Sequence, residues 1–375
     1  MGWVAGFRSA LVSPYEEVKL AEPRAFGDQT VRQVLHLASG GERLKVRLSN
    51  RYGRRPLVIG SARVAVRKAA EEIVPETSRE VLFGGAARVT VPAGEELTSD
   101  PVDLAVPEGT DLALSLFLPG ETGLASYAVF ALETAYIVGG DQVAAPALPG
   151  AEQVEGRYYV SGVDVLASDT PRIAVAFGDS WFEGVGTTVG ANRRSVDVLN
   201  EKLSRDRVVN QGISGNRLLT DEVGQHALAR FDRDVLSVPG VTHVLVHLGV
   251  NDLALPGMAG LPPARAEDLI AGFTELARRA RDAGLTVTAA TMGPYAGAIY
   301  EGVSTPEGLA ARRRVNEWIR TGGAFDAVAD VARAVEHPDD PDFIRPDFDS
   351  GDGMHLNDEG ARVMAEAFLT VTDLR

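Results

Sequence analysis

The sequence contains no cysteine. Disulfides, thiolate metal sites and a cysteine nucleophile are excluded together, and the usual clue to redox compartment goes with them. Lysine is nearly missing too, found only at Lys19, Lys45, Lys68 and Lys202, so arginine supplies most of the positive charge. That charge is outweighed: 37 Lys and Arg stand against 52 Asp and Glu, a net −15. A chain this acidic repels phosphate backbones, which argues against nucleic acid as a partner. No apolar run approaches the ~18 residues of a membrane-spanning helix. The opening Met1-Gly2-Trp3-Val4-Ala5-Gly6-Phe7-Arg8 has no basic stretch leading into an apolar one, so no signal peptide is visible. As written, the chain is expected to be cytoplasmic, or secreted if a leader has been removed.

What is present is an ordinary folded composition. The 375 residues are 45% hydrophobic and 24% charged, which suits a soluble protein of about two domains. The two halves follow different patterns. In residues 1–168 short runs alternate apolar and polar side chains, as half-buried strands do. Val31–Leu37, Leu44–Leu48, Leu57–Val66, Ala87–Val91, Leu112–Leu118, Ala128–Val138 and Tyr158–Leu166 are the candidates. Gly, Pro, Asn and Asp punctuate them, as in Ser49-Asn50-Arg51-Tyr52-Gly53 and Val138-Gly139-Gly140-Asp141. This predicts an N-terminal β-sandwich.

From residue 169 onward, runs apolar on both faces end in glycine: Ile173–Phe177, His243–Leu248 and Thr286–Met292. Such runs suit parallel strands covered on both sides. Helical spacing lies between them, at Ser195–Leu203, Ala227–Leu236, Ala264–Ala283, Leu309–Ile319 and about Asp358 to Thr370. Strand–helix alternation predicts a three-layer α/β/α domain over 169–375.

In such sheets, reactive residues sit on loops past the carboxyl ends of strands. Gly178-Asp179-Ser180 follows the first strand, Asn210-Gln211-Gly212 the second and Gly249-Val250-Asn251-Asp252 the third. Asp352-Gly353-Met354-His355 precedes the last helix. A serine becomes a nucleophile at neutral pH only beside a base. His355 can be that base, with Asp352 holding its other ring nitrogen. The Ser180 N–H, the Gly212 N–H and the Asn251 side chain can form an oxyanion hole.

These four blocks, in this order, resemble those of SGNH (GDSL-type) hydrolases. Asn192-Arg193-Arg194, Asn210–Leu218 and Arg230-Phe231-Asp232-Arg233-Asp234 resemble a narrower group, the two-domain XynE-type bacterial esterases. Phe26–Gln33 and Leu48–Gly53 resemble that group's N-terminal β-domain. The resemblance implies a flavodoxin-like sheet of five parallel strands behind a jelly-roll-like β-sandwich. It implies no metal and no organic cofactor, and ester hydrolysis through an acyl-enzyme. It implies Ser180 as nucleophile, His355 as base and Asp352 as its orienter, with Gly212 and Asn251 in the oxyanion hole. Asp349 is a competing acid, but three residues before the histidine is the family spacing.

One departure stands out. Relatives follow the serine with small or polar residues, whereas this chain has Trp181 and Phe182, which are expected either to wall a substrate pocket or to pack the helix. Short acyl groups such as acetyl, on a small molecule or a glycan, are the expected substrates. Acyl transfer by the same acyl-enzyme is an alternative. A glycan-binding protein with a vestigial hydrolase is another. Arg193, Arg194 and Arg217 are expected in surface ion pairs, and the acidic loop from Asp339 to Asp352 as a solvated loop rather than a calcium site. His243 and His247, on one strand, are expected to be packed residues rather than metal ligands. The sequence leaves the oligomeric state open.

Overall fold

The structure, a computed structural model, describes residues 1–375. The chain forms two compact units, Met1–Pro171 and Arg172–Arg375.

The first unit is built from two main antiparallel sheets. One orders Gly2–Arg8, Val160–Ala167, Leu44–Ser49 and Glu96–Thr98, so that the first and last strands of the unit pair. The other orders Glu152–Glu155, Thr134–Gly139, Gln29–His36, Asp111–Leu118, Ser61–Ala69 and Glu72–Ile73. The expected alternation is seen in Leu44–Leu48, where Leu44, Val46 and Leu48 are buried and Lys45 and Arg47 are not. It fails in Gln29–His36, which is buried on both faces. There the Arg32 guanidinium donates to Ser115 Oγ, Glu71 O and Ala145 O (2.8, 2.6 and 2.7 Å), so the polar face is satisfied without water.

Two expected strands are shorter than their apolar runs. Ala128–Val138 becomes a strand only at Thr134, because Leu132 takes a left-handed φ of 49° and Glu133 bonds the Thr134 N–H through its side chain. Leu57–Val66 breaks at Gly60, where a Cβ would lie 2.6 Å from the Phe117 ring.

The second unit is a three-layer α/β/α domain. Its five strands are β1 (Ile173–Gly178), β2 (Arg207–Gly212), β3 (Val241–His247), β4 (Thr286–Ala290) and β5 (Ala327–Ala329). They are parallel, in the order β2-β1-β3-β4-β5. Ile173 to Phe177 are wholly buried, as a strand covered on both faces requires. The helices are α1 (Ser180–Glu183), α2 (Ser195–Lys202), α3 (Ala227–Phe231, running on as a π-helical turn to Leu236), α4 (Val250–Met258), α5 (Ala266–Asp282), α6 (Pro306–Thr321), α7 (Val331–Val335) and α8 (Asp358–Leu369).

Helices α2, α7 and α8 pack together. Leu199, Val335 and Phe368 share an apolar cluster with Ala174, Ala176 and Val208 of the sheet. Elsewhere α5 packs against α3, α6 and β4, and α4 against α6. The chain leaves β1 for β2 on one side and crosses to β3 on the other, so the switch point lies at the carboxyl end of β1. There Gly178 is level with Gly212 of β2 and with His247 of β3. Three strand ends therefore release their loops side by side.

Candidate active site

Ser180 opens α1. Asp179 before it is the N-cap, extended at φ −108°, ψ −152°, and its Oδ1 accepts from the Trp181 N–H at 3.1 Å. Gly184, at φ 102°, ends the helix after one turn. The sharp strand–turn–helix entry holds the serine at the sheet edge.

His355 reaches that serine from the loop before α8. Its Nε2 lies 3.0 Å from Ser180 Oγ, and its Nδ1 lies 2.6 Å from Asp352 Oδ2. The acid is well supplied with donors. Asp352 Oδ1 accepts from the N–H of His355 (2.8 Å) and Met354 (2.9 Å) and from Ser350 Oγ (3.2 Å). The Tyr300 hydroxyl donates to Oδ2 at 3.1 Å. Burial by itself would raise this carboxyl. The hydrogen bond and charge of His355, with the two backbone donors, outweigh it and hold Asp352 well below the ordinary range. The competing Asp349 bonds the N–H groups of Gly351 and Gly353 (2.8 and 3.0 Å), so it shapes the turn that carries Asp352. A hydroxyl, an imidazole and a carboxylate in this line can activate the hydroxyl as a nucleophile.

The expected oxyanion donors are placed unequally. Asn251 lies in the first turn of α4, not on a loop, because Gly249 at φ 98° lets the helix begin at Val250. One hydrogen of its amide goes to Asn216 O at 3.0 Å, which leaves the second for a substrate oxygen. Gly212 departs from expectation. Its N–H donates to Asn210 Oδ1 at 2.9 Å. A Cβ on it would lie 2.8 Å from Asp179 O and 2.9 Å from the Phe182 carbonyl carbon. Gly212 is therefore a close-packing glycine against the nucleophile turn, with its donor already engaged. Gly215 (φ 76°) lies three residues on, in a turn closed by Asn216 N–H to Ile213 O at 3.0 Å. It adjoins the carbonyl that Asn251 holds.

Trp181 and Phe182 do not wall a pocket; they are 4% and 0% exposed. The single turn of α1 directs both rings back into the domain, where Phe182 packs on Phe368 and Trp181 stacks on His247. Arg193, Arg194 and Arg217 meet Glu201, Asp197 and Glu222. In the acidic loop, Asp342 pairs with Arg312 and Arg313.

Several residues around the site were not singled out by spacing. Arg230 is fully buried, its guanidinium lying over Phe177 and donating to Gly178 O (2.8 Å), Gln211 O (2.9 Å), Asn216 Oδ1 (3.0 Å) and Asp234 (3.1 Å). It joins the ends of β1 and β2 to the Asn216 turn. Glu183 accepts from the N–H and hydroxyl of Ser214. Asp252 accepts from the N–H groups of Leu218 (2.7 Å) and Leu219 (3.1 Å), and burial pushes it up to about 6. An arginine with an aspartate four residues on, as in Arg230–Asp234, was the available signal for the first of these.

Residues 176–363 match the family model described as the GDSL-like Lipase/Acylhydrolase family. The chain belongs to that family and is a carboxylic ester hydrolase. Compared with curated proteins, it matches none. Among solved structures it is similar to Est24, a carbohydrate acetylesterase from Sinorhizobium meliloti, at 15% identity and a TM-score of 0.42, over 53% of this chain and 97% of that one. It is similar to the native M. smegmatis aryl esterase at 16% identity and a TM-score of 0.41, over 54% and 100%. It is also similar to LAE5, an alpha/beta hydrolase enzyme from the metagenome of Lake Arreo, Spain, at 22% identity and a TM-score of 0.40, over 53% and 94%. No helix is long and apolar enough to cross a membrane.

Proposed function

We propose that the protein is a serine esterase that removes short acyl groups, acetyl first, from a small molecule or a glycan. The observation that supports the mechanism is the placement of His355 between Asp352 and Ser180, at 2.6 and 3.0 Å. Ser180 Oγ attacks the ester carbonyl as His355 Nε2 takes its proton. Asp352 stabilises the imidazolium. The tetrahedral oxyanion lies against the Ser180 N–H and the free hydrogen of the Asn251 amide. Gly215 N–H, beside the carbonyl that Asn251 holds, is a better third donor than Gly212 N–H, which is bonded to Asn210. The imidazolium then protonates the leaving alkoxide. Water, deprotonated by His355, attacks the acyl-enzyme and releases the acid and Ser180. Every step uses this chain's own groups.

The short acyl group follows from the resemblance to two-domain bacterial esterases. The test is hydrolysis of p-nitrophenyl esters from acetyl to decanoyl by wild type and Ser180→Ala. Activity that peaks at the short esters and falls by about 10³-fold or more in the variant is expected. Full activity in Ser180→Ala would end this reading.

A further inference from the structure

Behind the nucleophile lies a second histidine–carboxylate pair that hydrolysis does not call on. His247 is the last residue of β3 and is 0% exposed, as is Asp179. His247 Nδ1 lies 3.0 Å from Asp179 Oδ1, the same oxygen that caps the Trp181 N–H. A carboxylate only accepts, so Nδ1 carries the proton. The imidazole is fixed on both sides. The Trp181 ring stacks on it at 4.8 Å and 18°, and the Phe182 ring meets it edge-on at 6.3 Å. Behind it, a Cβ at Gly178 would run into the His247 carbonyl. Three of the four residues after Gly178 thus rest on one buried ring: Asp179 through its carboxylate, Trp181 and Phe182 through their side chains. Ser180 is held between them.

We infer that His247 is a positioning residue for the esterase reaction, acting through Asp179 to hold the Ser180 turn in line with His355. This rests on Ser180 being the nucleophile. A buried carboxylate needs donors. Without His247, Asp179 Oδ1 keeps only the Trp181 N–H of the turn it caps, and the imidazole no longer helps fix which way the carboxylate faces. The serine hydroxyl then loses its alignment, although the substrate surface is untouched. Misplacement of this order costs up to about 10²-fold in rate. Trp181 and Phe182 belong to the same device: both aromatic residues that depart from the family pattern meet the histidine, Trp181 by stacking on it.

The experiment compares kcat and KM on p-nitrophenyl acetate for His247→Leu, His247→Asn, Asp179→Asn, the double variant His247→Leu/Asp179→Asn and Ser180→Ala. Phe325→Leu, which loosens the packing on Trp318 away from the site, is the control for general destabilisation. The expected result is a kcat lowered about 10- to 100-fold in His247→Leu and Asp179→Asn, with KM within about twofold. His247→Asn, which keeps a side-chain N–H near the Nδ1 position, should recover to within about threefold of wild type. The double variant should be no worse than Asp179→Asn, and Phe325→Leu should lower Tm without lowering kcat. Wild-type kcat in His247→Leu overturns the inference, as does equal loss in His247→Asn or multiplying losses in the double variant. Should His247→Leu not fold, Asp179→Asn and His247→Asn decide: wild-type kcat in the first, or a 10-fold loss in the second, overturns it. Activity surviving in Ser180→Ala would instead overturn the reading underneath.

Discussion

Tyr300 Oη and His355 Nδ1 converge on one oxygen, Asp352 Oδ2, at 3.1 and 2.6 Å. The phenol draws off part of the charge that would otherwise serve the histidine. In Tyr300→Phe that charge falls entirely to the ring, so the protonated imidazole is better stabilised. The acid limb of the kcat/KM profile should move to higher pH, with the plateau little changed. Asp352, held low by the same network, does not titrate in this range, so the limb keeps the slope of a single proton. A limb that stays in place would show that solvent replaces the phenol at no cost.

Asn251 and Gly212 should fail in different ways. Asn251→Ala removes a donor aimed at developing charge and should lower kcat by about 10²-fold with KM nearly unchanged. Gly212→Ala puts a methyl group against the backbone of Asp179 and Phe182. It should lower Tm together with activity. Thermal melts beside steady-state kinetics separate the two, and a Gly212→Ala variant with wild-type Tm would contradict the packing described.

Arg230→Met should be severe. It removes a buried donor from the carbonyls of Gly178 and Gln211 and from the Asn216 side chain, while Asp234 keeps Arg233. Leaving a buried acceptor unsatisfied costs about 1–3 kcal/mol. Urea unfolding should show the loss in midpoint with m unchanged.

Asp252 gives stability a pH dependence of its own. Its folded value, about 6, lies above that of an unfolded aspartate, ~4. Below ~4 both states are protonated. Between ~4 and 6 the unfolded chain gives up the proton and the native domain retains it, so native stability falls as pH rises through this window. From pH 5 to 7 wild type should lose about 1 kcal/mol relative to Asp252→Asn. Equilibrium unfolding at both values measures it, and parallel changes would refute the assignment.

The catalytic half was legible because its signals are local. Wholly apolar runs ending in glycine marked β1, β3 and β4, and five of the eight helices lie within a few residues of their periodic stretches. Helix α4 was hidden by Gly249 before it and Pro256 and Gly257 within it, which read as breakers, although Pro256 is buried in the helix. The pairing of Ser180, His355 and Asp352 was expected from strand-end chemistry and from resemblance together, since no spacing rule connects positions 180 and 355. What could not be read were contacts in which one residue meets another strand end: His247 with Asp179, Arg230 with Gly178, Gly212 with α1. These depend on strand register, which alternation in the sequence does not encode across a crossover. Which of the two expectations for Trp181 and Phe182 would hold, pocket wall or packing, was unreadable for a related reason, and both rings pack. A one-turn helix sets side-chain direction by where it stops, and Gly184 stops it.

The Ser180–His355 hydrogen bond joins positions 175 apart in the chain. A polypeptide growing from its N-terminus completes β1 and its serine turn long before residue 355 is made, and until then the serine is as inert as any other. With Ser180 as the proposed nucleophile and His355 as its base, newly made chains are expected not to attack esters while they are still emerging. The same separation makes recovered hydrolysis a late reporter of refolding, because sheet closure and docking of the segment before α8 must both be finished. A single proteolytic cut between Asp349 and His355 would silence the chemistry while every strand of the sheet stays in place.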